Sequence, residues 1–272
     1  MLKNLFLILI TTLTLNATSF TQRIVNIIGY DEYRVNKGLI DYLFSNEQQY
    51  YTNGMINYIE VMEKLQENGL LKISFNTPMD VSITFHINQD PIKSLKIISN
   101  SLKSLGYYHY FTKELTYDEE QNIIWTINLK TEAAIDPLML SKELYENRCY
   151  IFDIKKEGLT KWLYTIDTAN SILSDAKKIT TSEKVTFRKP LKPYLLEIEN
   201  GNRLDIISKP GNQWFPYVVF YDEHLNILEI VKENNEKKGM KLSIPSYTKY
   251  IKIEDIYSLS NINRGLSVII KE

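Results

Sequence analysis

The sequence predicts an α+β protein in which repeated helix-hairpin (αββ) units are followed by a C-terminal all-β sandwich. Three observations predict it. Asp90-Pro91 and Asp136-Pro137 each read as a helix start, because an Asp side chain can accept from the free amides of a first turn and proline's φ is already helical. Gly69 and Gly106 stand where a left-handed residue ends a helix, at equal spacings from Asn53 and Asp90. From residue 183 onward almost every stretch is strand-like, and Pro190, Pro193, Pro210, Pro216 and Pro245 fall where strand ends and edges tolerate them.

The first residues read as an address. Lys3 lies in a short positive start, residues 5–15 are apolar but diluted by Thr11, Thr12 and Thr14, and Ala17 or Ser19 offers a small residue for cleavage. Residues 1–19 are thus expected to be a secretory signal peptide, cut after Ala17 or after Ser19. The alternative, an uncleaved membrane anchor, is opposed by an apolar run shorter than the ~20 residues a span needs. The mature chain is expected in the periplasm with no transmembrane span.

Residues 20–168 are expected to form the α+β domain. It opens with a strand at 24–28 and a helix at 31–44 that presents Val35, Leu39, Tyr42 and Leu43. Asn53 then caps a helix carrying Ile56, Ile59, Met62 and Leu65 on one stripe. Strands at 70–75 and 81–87 follow, around a turn at Pro78. The second unit places Ile92, Leu95, Ile98, Leu102 and Leu105 on one helix face, then a hairpin of 107–115 and 123–129. The third runs from the helix at Asp136 to strands at 149–154 and 162–166. Residues 169–182, polar and broken, read as a linker, and 183–272 as the sandwich.

Composition narrows the function. With 44% hydrophobic residues the chain of 272 can bury a core, and 32 Lys and Arg against 33 Asp and Glu leave a net charge of −1. Such a balance provides no field to hold a polyanion, so nucleic acid is not an expected partner. Cys149 is alone, so the chain cannot close an internal disulfide. A buried strand residue is the expected role, with a nucleophile or an intermolecular bridge as alternatives. His86, His109 and His224 stand singly, without HExxH or a Cys cluster, and no GxSxG, GxGxxG or P-loop is present. Asp118, Glu119 and Glu120 fall in a hairpin turn and read as a solvated tip rather than a glycosidase pair. No cofactor and no metal site is expected, and the chain reads as a non-enzyme.

Two stretches read as contact surfaces. Tyr107, Tyr108, His109, Tyr110 and Phe111 put aromatics on both faces of one strand, whereas a helix layer covers one face only. The other set, taken as Tyr108 and Tyr110, then meets a neighbouring unit of the same chain or a partner. Trp214 and Phe215, after Pro210-Gly211, read as a sugar platform or as a core plug. On the second stretch rests the alternative function, a glycan- or peptidoglycan-binding module.

The segments KSLGYYHYFT (103–112), WTINLKTEAAIDPLMLSKEL (125–144) and KWLYTIDT (161–168), with the tail RGLSVIIKE, resemble secreted proteins of epsilonproteobacteria involved in flagellar motility. The resemblance implies a periplasmic accessory protein of the flagellar motor or its scaffold, with other periplasmic or motor proteins as partners. It brings no catalytic residue with it.

Overall fold

Val81, Ile83, Phe85 and Ile87 are buried while Ser82, Thr84 and His86 between them are not, the alternation of a strand covered on one face. They belong to β3 (Ser74–Ile87). The computed structural model of the chain describes residues 18–120 and 122–272. Its first part comprises α1 (Phe20–Ile28), α2 (Tyr30–Leu43), the short strands β1 (Tyr51–Thr52) and β2 (Met55–Ile56), and α3 (Tyr58–Glu67). After β3 come α4 (Pro91–Ser104), β4 (Phe111–Tyr117), β5 (Ile123–Ala133), α5 (Pro137–Glu146), β6 (Tyr150–Lys156) and β7 (Lys161–Asp167).

A five-stranded mixed sheet of order β4-β5-β3-β7-β6 organises this part. β3 pairs antiparallel with β5 and parallel with β7, so Phe85 lies opposite Trp125 on one side and Tyr164 on the other. The three rings pack at 5.5 and 5.8 Å between centroids. On the same face Ile27, Met62, Leu65, Ile98, Leu140 and Leu144 bring the helices into one core. Each such side chain stabilises the fold by roughly 1.5–3 kcal/mol through burial. α1 is held to α3 and β6 by polar contacts as well: Arg23 donates to the Tyr58 hydroxyl at 2.9 Å, which donates to Asp153 at 3.0 Å.

Several local expectations are corrected. Residues 24–28 are helical, because Phe20, Ile24, Ile27 and Ile28 recur at helix spacing and Ser19 caps the amide of Gln22. α3 is capped by Asn57 rather than Asn53, which turns the chain between β1 and β2 at φ +52. Of the strands expected at 70–75 and 81–87, residues 70–73 are not strand and the rest belongs to a single strand, β3, whose pairing with β5 skips from Ser74 to Met79, with Pro78 in that interruption. The first of three expected helix-hairpin units is therefore a helix and one strand. Asp136 caps α5 through the amides of Leu138 and Met139, as its sequence predicts. Asp90 does not cap α4: at φ +50 its carboxylate turns to Lys93 and His224 instead. In α2 the buried residue is Ile40, and Val35, Leu39 and Tyr42 face outward.

The second part comprises β8 (Lys177–Ile179), β9 (Lys184–Thr186), β10 (Tyr194–Ile198), β11 (Arg203–Ser208), β12 (Pro216–Tyr221), β13 (Ile227–Lys232), β14 (Gly239–Ser243), β15 (Tyr250–Asp255) and β16 (Leu266–Lys271). They form a five-stranded sheet, β13-β12-β15-β10-β8, and a four-stranded sheet, β14-β11-β16-β9. Alternate residues of both, among them Leu196, Phe220, Ile253, Ile206 and Val268, bury themselves in one apolar cluster. Gly265 is obligatory beside it: at φ +86, a Cβ there would lie 2.0 Å from the carbonyl oxygen of Phe187.

Residues 169–182 connect the two parts but do not hang free. The amide of Ile172 donates to the carbonyl of Asn147 at 2.9 Å, Ser174 bonds the Asn147 side chain, and Leu173 is buried in the first core. β8 then pairs parallel with β10. From the other direction, the turn between β12 and β13 inserts Leu225 into the same first core, where Tyr250 joins it, and sets His224 on Asp90. Part of the backbone of residues 169–182 is thus hydrogen-bonded, while Ala169, Asn170, Ser174 and Asp175 are exposed.

Candidate interaction surface

β4 is the one long strand of the first sheet with every residue exposed, and it lies at the sheet's edge. Its partner β5 occupies one side, and among the described residues no strand pairs with the other row of amides and carbonyls. Leu115 and Tyr117 lie opposite Trp125 and Ile123, on the face that the helices cover further in, yet they remain exposed because the helix layer stops short of the edge. Phe111 lies opposite Asn128, on the other face, and is 81% exposed. Apolar side chains on both faces beside a free backbone row match what strand addition by a partner uses. Lys113 and the register shift between Thr112 and Glu114 limit indiscriminate pairing at the same edge.

The segment singled out in the sequence abuts this edge but is not part of the strand. Residues 107–110 precede β4, so strand alternation does not sort their side chains. Tyr108 is 67% exposed, in line with its expected outward role. Tyr110 is half-buried, edge-on to Trp125 at 5.9 Å, and belongs mainly to the core. The indole of Trp125 donates to the Thr112 hydroxyl at 3.1 Å, anchoring β4 from within. Leu115 and Tyr117 were not distinguished by the sequence; their signal was their own i, i+2 spacing, with Phe111 sent to the other face by the register shift between Thr112 and Glu114.

Trp214 and Phe215 form no platform. Trp214 is fully buried, its indole donating to the carbonyl of Glu254 at 3.1 Å. Phe215 is half-buried and packs edge-to-face on Tyr257, while its amide donates to Asp255 at 2.7 Å. Asp255 also accepts from the amides of Tyr257 and Ser258, so the loop is tied from inside. A buried ring offers no face to a sugar; of the two readings made for this loop, the core plug holds for Trp214.

Cys149 is shielded and His224 is engaged by carboxylates. Burial pushes the Cys149 thiol up to about 12, and its sulfur points at the carbonyl of Asn147; a thiol held protonated is a poor nucleophile. The imidazole of His224 meets Asp90 through Nδ1 and Glu223 through Nε2 at 3.4 Å. Among the described residues no Ser, Thr or Cys side chain hydrogen-bonds to a histidine ring, and no group of three or more His, Cys, Asp or Glu could hold a metal ion. Among those residues no helix is long and apolar enough to cross a membrane.

No family model matches the chain, and no curated protein matches it. Among solved structures the secreted serine protease VesC from Vibrio cholerae aligns at 9% identity with a TM-score of 0.19, covering 77% of this chain and 52% of that one. The chain spans about half the length of that protein, and a likeness so slight assigns it neither fold nor activity.

Proposed function

We propose that this chain is an exported, non-enzymatic structural or interaction protein of the periplasm, an accessory factor for flagellar motility or related envelope machinery, which meets its partner along β4. The observation that carries the reading is the fully exposed edge strand with Phe111, Leu115 and Tyr117, flanked by Tyr108. The two sheets that share the second core are read as a β-sandwich, and the helix-hairpin segments at 91–133 and 137–167 as a tandem repeat. The glycan-binding alternative loses its aromatic anchor, because Trp214 is buried.

Export rests on the apolar start of the sequence, residues 5–15, which lies outside the described residues. Of the two cleavage positions, the one after Ala17 keeps Ser19 as the cap of α1, whereas a cut after Ser19 removes a contact worth about 1 kcal/mol. N-terminal sequencing of the protein from a periplasmic extract is expected to begin at Thr18, and a strain lacking the gene is expected to swim poorly with unchanged growth. Met1 found intact in a membrane fraction, or normal swimming after deletion, would contradict the respective half of the proposal.

A further inference from the structure

We propose that the loop of residues 188–192 docks the second part of the chain onto an anionic lipid surface. Leu191, in that loop, is 94% exposed, the most open of the large apolar side chains among the described residues. It does not sit on slack backbone. Pro190 and Pro193 restrict the chain on either side of it. The base of the loop is tied as well: the Tyr194 hydroxyl donates to the carbonyl of Arg188 at 2.5 Å, and the Tyr194 ring packs on Phe187 at 4.7 Å between centroids. Burial of the tip in an apolar medium is favourable, and a stiff loop loses little freedom when that happens.

The charges around the tip select the medium. They balance over the whole chain but not here. Arg188 and Lys189 lie on the loop itself. Lys209 reaches it from just beyond β11, its ammonium donating to the carbonyl of Phe187 at 3.3 Å. Arg264 comes from the turn before β16: its amide donates to the Asn212 side chain at 2.9 Å, and a Cβ at Gly211 would lie 3.8 Å from its Nε. Among the described residues none of these four cations makes an ion pair, whereas Lys192, Lys237 and Lys238 in the neighbouring loops are held by Asp175, Glu233 and Glu236. Asp255, the carboxylate buried nearby, is taken up by the amides of Phe215, Tyr257 and Ser258. A surplus of cations around one apolar finger fits anionic headgroups, which hold the charges at the surface while the side chain enters the acyl boundary. A folded protein partner fits less well, because a single protruding side chain buries far less than the roughly 800 Å² per partner of a standard stable interface.

Flotation of the mature chain with vesicles tests this. Vesicles of phosphatidylglycerol mixed with phosphatidylcholine are expected to carry the protein, and vesicles of phosphatidylcholine alone are not. Millimolar inorganic phosphate should not displace it, which separates a lipid surface from a free phosphate site. Binding should fall as salt rises, because exposed charges are screened beyond ~8 Å at physiological ionic strength. Arg188→Ala with Lys189→Ala should weaken binding about 25-fold, at about fivefold for each cation near the surface, while Lys96→Ala with Lys103→Ala, the same change of charge on α4, should leave it unaltered. Leu191→Trp adds an exposed indole to three buried ones, so the emission of that variant should shift to shorter wavelength on the anionic vesicles. No binding to the anionic vesicles, an equal loss in the α4 variant, displacement by phosphate, or an unshifted emission from Leu191→Trp would overturn the proposal. Binding of polyglutamate with none to the vesicles would assign the patch to an acidic polypeptide and overturn it likewise.

Discussion

Trp214→Ala is expected to lower the stability of the chain by about 3–5 kcal/mol, the range for removing a large buried aromatic. The ring is fully buried among Val218, Phe220, Ile253 and Ile262 in the second core. Its loss leaves a cavity and also strips the carbonyl of Glu254 of a donor, a further cost when the group stays buried. For a chain of this size each kcal/mol moves the melting temperature by about 2–4 °C, so a fall on the order of 10 °C should be visible by calorimetry. A change below about 1 kcal/mol would mean that the indole stands free, as a sugar platform would require.

The junction gives the second large effect. Leu225, in the turn between β12 and β13, is 5% exposed and buried in the first core, although it belongs to the second part of the chain. It holds φ at +65, a conformation that leucine adopts only when surrounding structure compels it. The turn is braced for this by Asp222, which accepts from the amides of His224 and Asn226 and from the Asn226 side chain. Leu225→Asp puts a carboxylate into that apolar seat and should cost about 3 kcal/mol or more. The two parts are then expected to uncouple. Wild-type protein should melt in one transition and resist protease within residues 169–182, while the variant melts in two and is cut there. Two transitions in the wild type would show that the junction is not a coupling element.

Residues with one strong signal were legible in the sequence. Asp136 announced α5 because cap and proline coincide, and the strands from 194 to 270 were legible because proline and turn residues punctuate short apolar runs. What escaped involves competition between signals of similar strength. α2 carries two apolar rows, Tyr33 with Ile40 and Val35 with Leu39 and Tyr42, and spacing alone does not say which one the core takes. Asp90 has the sequence of a cap, but a tertiary partner, His224, lies 134 residues away and redirects it. Pro78 reads as a turn, yet a strand as long as β3 passes through it because β5 tolerates an interruption in pairing. The edge site was found only in part for a related reason: the aromatic run at 107–111 drew attention to itself, while the exposed strand starts at its last residue.

The central claim, that β4 is where this protein meets its partner, is tested most directly by site-specific photocrosslinking in living cells. A photoreactive phenylalanine analogue is placed at Leu115 on β4 and, as control, at Tyr145 on α5, which is also exposed but remote from the edge. Position 115 should yield a discrete crosslinked protein that disappears when Phe111 and Tyr117 are both changed to Ser, at unchanged abundance of the chain, and position 145 should yield none. Equal crosslinking from both positions, or none from 115 in cells whose swimming depends on the protein, would contradict the account.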